Sequence, residues 1–314
     1  MRRNRRDDRR NSDARMKPRI APVSPPQSPP MHRSFASAFA LALSATVACS
    51  SRVSPDGSAA PSGSTVVSPD RGSLVVVGGG RVGPEIVTEF LRLAGGNQAP
   101  IVVIPTAGGD SIYTPTCACA RLLRDAGATD VTVLHTYDPK VADTESFVAP
   151  LRRASAVWFP GGRQWRLADA YLGTRTEREL HALLARGGVV GGTSAGASIQ
   201  ASYLVRGAPA GNTVMMSPGH EQGFGFLRNV AVDQHVLARS RLNDLPLVLA
   251  KHPKLLGIGI DEGTAIVVQR DTFTVVGVSK VFVYGGRDTP DSGQVYRSLR
   301  SGDRYALRER RALQ

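Results

Sequence analysis

Four apolar runs that end in small, glycine-rich turns constrain this chain most: "SLVVVGGG" (73–80), "IVVIPTAGG" (101–109), "AVWFPGG" (156–162) and "GGVVGGTSAGA" (187–197). They are apolar at nearly every position rather than at alternate ones, the habit of strands buried on both faces of a parallel sheet. Between them lie stretches with helical spacing: "PEIVTEFLRLAG" (84–95) with its glycine stop, residues 115–126, residues 143–153 and "TERELHALLARGG" (176–188). "VTVLHTY" (131–137) reads as one more strand. Strands alternating with helices predict a parallel sheet covered on both faces, with ligands bound beyond the carboxyl ends of the strands. Gly78–Gly80, Gly161–Gly162 and Ser194 all fall at such ends.

The last third changes texture. "LGIGIDEGTAIVVQRDTFTVVGVSKVFVYGG" (256–286) turns like hairpins, so the sheet is expected to gain antiparallel strands at its C-terminal side. No internal repeat and no second boundary interrupts residues 73–314, which are read as one catalytic domain.

The segments before it are of other kinds. Residues 1–30 hold nine Arg or Lys against three Asp and no apolar periodicity, and read as a disordered basic arm. Residues 31–49, "MHRSFASAFALALSATVAC", have a short basic start, an apolar run too short to span a bilayer and a small residue before Cys49. That layout is a secretory signal ending in a lipoprotein-like box, with Thr46 where leucine is usual. It predicts export, a lipid anchor at Cys49 as the only membrane contact, and translation starting at Met31; a twin-arginine signal is the alternative. Residues 50–72, rich in Ser, Pro and Gly, read as a flexible tether. Residues 1–48 carry +7 of the net +13, so the charge excess is no sign of a nucleic-acid surface on the fold, and no nucleic-acid partner is expected.

Cys117 and Cys119, with a single residue between them, argue against an unstrained bridge, and no His or Cys spacing fits zinc. "GGGRVG" (78–83) formally matches G-x-G-x-x-G, but the next strand runs from Ile104 into Pro105-Thr106 without the acid a dinucleotide requires. The glycines are read instead as room for close backbone approach.

Gly192-Thr193-Ser194-Ala195-Gly196 matches G-x-S-x-G, the sharp strand-to-helix turn that lifts a serine clear of a sheet and offers the next amide to an oxyanion. A glycine-rich turn without chemistry is the alternative for this motif alone. A nucleophilic serine needs a base. Of His135, His181, His220, His235 and His252, His235 stands out, because Asp233, Gln234, Arg239 and Arg241 crowd around it at the end of an apolar strand in "NVAVDQHVLARSRL" (229–242). Asp261 and Glu262 follow the strand of "GIGIDEGTAIVV" (257–268), where either a turn or a carboxylate orienting the histidine is expected.

These stretches in this order, with "FPGG" and Gln164, resemble the cyanophycinases over roughly residues 73–286. The wider group includes aspartyl dipeptidase. The resemblance implies a three-layer α/β/α sandwich like that of class I glutamine amidotransferase domains, its sheet mostly parallel with an antiparallel extension. It implies Ser194 as nucleophile, His235 as general base and then acid, and Glu262 as the orienting carboxylate. Ala195 and one of Gly161 or Gly162, the latter favoured, supply the oxyanion amides, while Gln164, Asp233, Gln234, Arg239 and Arg241 line the substrate pocket. The implied reaction is hydrolysis through an acyl-enzyme with no metal or organic cofactor, on a polyaspartate backbone with arginine on its side-chain carboxyls. The implied products are β-aspartyl-arginine dipeptides, and the family's habit implies a homodimer. Three features depart from the pattern: Arg163 where an acid is usual, Trp165-Arg166 after it, and Asp244 where a third arginine is expected. An α/β-hydrolase esterase with His252 as base and Glu221, Asp233 or Asp244 as acid is the first alternative, and a noncatalytic binding lipoprotein the second.

Overall fold

The computed structural model describes residues 67–288 and 293–314. The basic arm, the signal-like segment with Cys49 and the tether up to residue 66 lie outside the described residues.

The first half alternates as expected: β1 (Ser73–Val77), α1 (Pro84–Ala94), β2 (Ile101–Val103), α2 (Arg121–Asp125), β3 (Val131–Val133), α3 (Pro139–Ala142), α4 (Glu145–Arg153), β4 (Ala156–Phe159), α5 (Gln164–Tyr171), α6 (Arg175–Ala185), β5 (Val189–Thr193) and α7 (Ala195–Ser198). The second half is richer in strands: β6 (Ala201–Tyr203), β7 (Leu227–Gln234), α8 (Asp244–Lys251), β8 (Leu256–Ile260), β9 (Thr264–Gln269), β10 (Thr272–Gly277), β11 (Lys280–Tyr284), β12 (Tyr296–Arg300), β13 (Arg304–Ala306) and β14 (Arg311–Leu313).

β1 is the pivot of the larger sheet, whose order is β14-β13-β10-β9-β1-β5-β4-β2-β3. On one side it pairs in parallel with β5, Val77 opposite Thr193, and β4, β2 and β3 continue in parallel. On the other it pairs antiparallel with β9, Val77 opposite Ala265, and the rest follow antiparallel. Strand alternation then divides the core. Val75 and Val77 pack against Ile86, Val87 and Phe90 of α1 and Leu123 of α2, whereas Leu74 and Val76 join the cluster formed with α4, α5, α6 and the second half of the chain. The result is the expected α/β sandwich.

The sequence reading gathers the C-terminal strands into one sheet, and the structure divides them between two. β12-β11-β8-β7-β6 form a second sheet that packs on the antiparallel half of the first. β8 to β9 and β10 to β11 are therefore crossings between sheets, and only β9–β10 is a hairpin within this stretch. β8 gives the reason the crossing escapes a periodicity argument. Ile258 and Ile260 join the central core while Gly257 and Gly259 leave room on the other face for Tyr284, Leu249 and Val236, so both faces are buried and no polar alternation marks them.

Element ends follow local chemistry. α1 starts with Pro84 at its first position and stops at Gly95, whose φ of 105° lets its amide reach Arg92 O while Gly96 N reaches Leu91 O. The helix expected over 143–153 begins at Glu145 because Thr144 is its N-cap, and Asp138 caps a separate turn before it. The strand expected over 131–137 ends at Val133 on the sheet edge. Cys117 and Cys119 correct another expectation: they are joined as a disulfide. The turn entering α2 brings their Cα atoms to 5.2 Å, within the range a bridge spans. Among the described residues no helix is long and apolar enough to cross a membrane.

Phe90 is fully buried and meets Trp158 edge-on at 5.0 Å between ring centroids. Phe90→Ala is expected to lower unfolding stability by about 3–5 kcal/mol, measured by urea denaturation. A loss below ~1 kcal/mol would show that α1 does not seal this face.

Candidate active site

Backbone hydrogen bonds at the carboxyl end of β1 gather three distant segments. Val77 O accepts from Ser194 N at 3.0 Å, Gly78 O from His235 N at 2.8 Å, and Gly79 O from Gly263 N at 3.0 Å, while Gly78 N donates to Thr264 O at 2.9 Å. Three consecutive residues thus hold the β5–α7 turn, the end of β7 and the crossing from β8 to β9.

Ser194 has φ 56° and ψ −109°, outside the regions an L residue occupies freely. Such a conformation costs on the order of 1–3 kcal/mol and persists only where its surroundings dictate it. Here the bond to Val77 O fixes one side, and the amides of Ala197 and Ser198 donate to Ser194 O at 3.0 and 3.1 Å on the other. The flanking glycines are obligatory: a Cβ at Gly196 would lie 2.1 Å from Phe159 O, and one at Gly192 would lie 2.5 Å from Gly196 O. This is the nucleophile-elbow geometry.

His235 also has a left-handed backbone, φ 55°. Its Nε2 lies 2.9 Å from Ser194 Oγ, and its Nδ1 lies 2.5 Å from Glu262 Oε1. A carboxylate only accepts, so Nδ1–H donates to Glu262 and the Nε2 lone pair faces the serine hydroxyl. The glycine run is the floor under both side chains. A Cβ at Gly79 would stand 2.1 Å from His235 Cε1, and one at Gly80 would stand 2.7 Å from Glu262 Oε2. Burial holds the His235 pKa below its ordinary value; Glu262 pulls it up, and the charges of Arg239 and Arg241 push it further down.

The other expected residues divide between cavity and support. A cavity of about 350 Å³ is lined by Arg206, Asn212, Thr213, Arg239, Arg241 and Asp244. Arg239 is exposed; its amide donates to His235 O at 2.9 Å, and its guanidinium has no hydrogen-bond or ion-pair partner among the described residues. Arg241 donates to Gln234 O at 2.9 Å and Gln234 Oε1 at 2.6 Å. Asp233 is fully buried and accepts both arms of Arg206, at 2.9 and 3.0 Å. Gln164 is buried as well, its amide donating to Val205 O at 2.8 Å, so it braces the segment after β6. Ala195 is the first residue of α7. Of the glycine pair, Gly161 faces the serine, where a Cβ would be 3.9 Å from Oγ, and Gly162 packs on Ala107 O.

The three departures also have partners. Arg163 donates to Ala208 O, Arg166 lies over the Trp165 ring and donates to Ala107 O and Gly108 O, and Asp244 accepts from Arg206 at 2.5 Å. His252 packs against the Tyr203 ring, so the esterase alternative that required it at the serine fails. Among the described residues no group of three or more His, Cys, Asp or Glu is placed to hold a metal.

Sequence reasoning missed Arg206, which sits in no motif, and the work of Asp261. The Asp261 carboxylate accepts from the amides of Leu237 and Ala238 and from Ser279 Oγ, tying the loop after His235 to the Glu262 turn. Burial opposes its ionisation, yet the Ser279 hydroxyl and the amides of Ala238, Glu262 and Leu237 hold its pKa below the usual carboxylate value.

A hydroxyl placed against the free nitrogen of an oriented imidazole is the working arrangement of the serine hydrolases. Comparison with known proteins narrows the class. Residues 74–276 match the model of peptidase family S51, and the chain belongs to that family, a family of peptidases. It is 32% identical over 228 residues to a cyanophycinase of Geminocystis herdmanii, covering 69% of this chain and 82% of the relative. It is 33% identical over 232 residues to a cyanophycinase of Synechococcus elongatus, covering 69% of each. The crystal structure of a peptidase from an acI-B1 actinobacterium superposes with a TM-score of 0.58 at 25% identity, covering 76% of this chain and 98% of that one.

Only neutral imidazole accepts a serine proton, and the lowered pKa extends the neutral range of His235 further towards acid. On a family substrate kcat/KM should therefore hold its value towards low pH and fall about tenfold per unit only beneath a midpoint below the ordinary 6.5. Arg239→Ala removes one depressing charge and should move that midpoint up; a pH–rate profile whose midpoint moves down would contradict this electrostatic account.

Proposed function

We propose that this protein is an exported serine peptidase that hydrolyses cyanophycin or related β-aspartyl and isoaspartyl peptides through an acyl-enzyme, releasing dipeptides of the β-aspartyl-arginine type. The continuous line from Ser194 Oγ through His235 to Glu262 carries the mechanistic part of this reading. The curated relatives named cyanophycinase support the substrate part.

In the proposed reaction Ser194 Oγ attacks the scissile carbonyl carbon as its proton passes to His235 Nε2. Glu262 holds the resulting imidazolium. The carbonyl oxygen becomes an oxyanion facing the amides of Ala195 and of the Gly161–Gly162 turn, and each such donor is worth about 10²–10³ in rate. Collapse breaks the C–N bond while the imidazolium returns its proton to the leaving amine. Water, deprotonated by the same imidazole, then attacks the ester and frees Ser194. The guanidinium groups of Arg239 and Arg241 beside His235 suit a substrate that carries carboxylates. Export is argued from the signal-like layout of residues 31–49 and anchoring from Cys49.

The test is incubation of residues 50–314, wild type beside Ser194→Ala, with insoluble cyanophycin and mass spectrometry of the soluble products. β-Aspartyl-arginine from the wild type alone is expected. A folded wild type that releases nothing from cyanophycin, and nothing from isoaspartyl dipeptides, would sink the substrate assignment. For the anchor, radiolabelled palmitate should enter the full chain and not Cys49→Ser.

A further inference from the structure

Arg206 is the most committed charge in the molecule outside the serine–histidine–glutamate line, and no motif contains it. It is 2% exposed, has a left-handed backbone with φ 57°, and lies between two carboxylates. Its Nε and one terminal nitrogen reach the two oxygens of the fully buried Asp233 at 2.9 and 3.0 Å, and that same nitrogen reaches Asp244 at 2.5 Å. Its other terminal nitrogen donates to Asn212 O at 2.8 Å. A planar fork satisfies two oxygens of one carboxylate in a way lysine does not.

Arg241 is a second guanidinium within reach of the same carboxylate, 3.7 Å from Asp233. Asp233 already accepts from Arg206 on both oxygens and from Gln234 N at 3.0 Å, while Arg241 places its hydrogen bonds on Gln234, the neighbour of His235, and stands on the cavity wall. Stripped of Arg206, the buried carboxylate would keep only its longer contact with Arg241, and that cation would be drawn in to it. Asp244 is a third of the way exposed at the cavity, and without Arg206 its charge would stand among the groups meant for an anion.

We propose that Arg206 is a specificity-determining positioning residue: it neutralises Asp233 and Asp244 from within the protein and so leaves Arg239 and Arg241 to the carboxylate of a substrate. The acid at position 244 is then the counter-ion of Arg206 rather than a reversal of the pocket's sign. The proposal rests on the β-aspartyl peptidase reading for its substrate, while its geometric core does not. Around His235 the charged groups are Glu262, Arg239 and Arg241. Loss of Arg206 exposes two carboxylates and withdraws Arg241, changes that all favour the imidazolium.

The test compares wild type with Arg206→Gln, Arg206→Lys and Asp244→Asn on β-aspartyl-arginine polymer, with the His235 titration followed by NMR in the absence of substrate. Arg206→Gln should raise KM tenfold or more with kcat within threefold, and should raise the His235 midpoint. Arg206→Lys should recover at least a third of the KM loss, and Asp244→Asn should lower KM because it removes a negative charge from the cavity wall while Arg206 stays on Asp233. Arg206→Gln with unchanged KM and midpoint overturns the proposal, as does a tenfold rise in KM for Asp244→Asn, which would make Asp244 itself a substrate contact. If Arg206→Gln does not fold, Arg206→Lys and Asp244→Asn decide by the same criteria. A wild type inactive on the polymer overturns the substrate reading, and the His235 midpoint in Arg206→Gln then decides this one alone.

Discussion

The backbone of residues 77–79 does the organising. β1 is hydrogen-bonded on both sides and buried on both faces, so its end cannot move without disturbing two halves of a sheet. The carbonyls of Val77, Gly78 and Gly79 then accept, one after another, from Ser194, His235 and Gly263. Segments drawn from residues 194, 235 and 262 meet because one strand end offers them adjacent acceptors. The glycines there serve the same end, since any side chain at Gly79 or Gly80 would occupy the space of the imidazole or the carboxylate.

Around that anchor the site divides into strained and satisfied parts. Ser194 and His235 both have left-handed backbones, and each is held by hydrogen bonds on either side. Buried charges are paired: Asp233 with Arg206, and Asp261 with two amides and Ser279. Burial and the two guanidinium groups hold the histidine's pKa below its ordinary value, while the Glu262 carboxylate pulls it up and orients the ring. Arg239 alone among these charges is left exposed and without a partner among the described residues.

Legibility in the sequence followed the range of the interactions. The parallel half was legible because each buried strand is a continuous apolar run, and the elbow was legible because its glycines and serine are consecutive. His235 and the Asp261–Glu262 pair stand out as polar groups at strand ends, an anomaly local to each segment, and the family resemblance is what singles out Glu262. The second sheet was not legible, because β8 is apolar on one face and glycine on the other and gives no sign of which sheet it joins. The Cys117–Cys119 bridge went unread because the turn that closes their Cα separation lies in backbone angles that spacing alone does not specify.

By itself the sequence determined the alternation of strand and helix, the elbow around Ser194 and the identities of an imidazole and a carboxylate able to serve it. These are consequences of nearest-neighbour chemistry: apolar periodicity, missing β-carbons and the expense of polar groups at buried strand ends. Tertiary structure decided the contacts themselves: that Glu262 rather than Asp261 meets the imidazole, that the α-carbon of Gly161 lies against Ser194, and that Asp244 belongs to Arg206. Those outcomes depend on groups 27 to 41 residues apart being brought within about 3 Å. Only the crossing between two sheets and the shared end of β1 establish such distances.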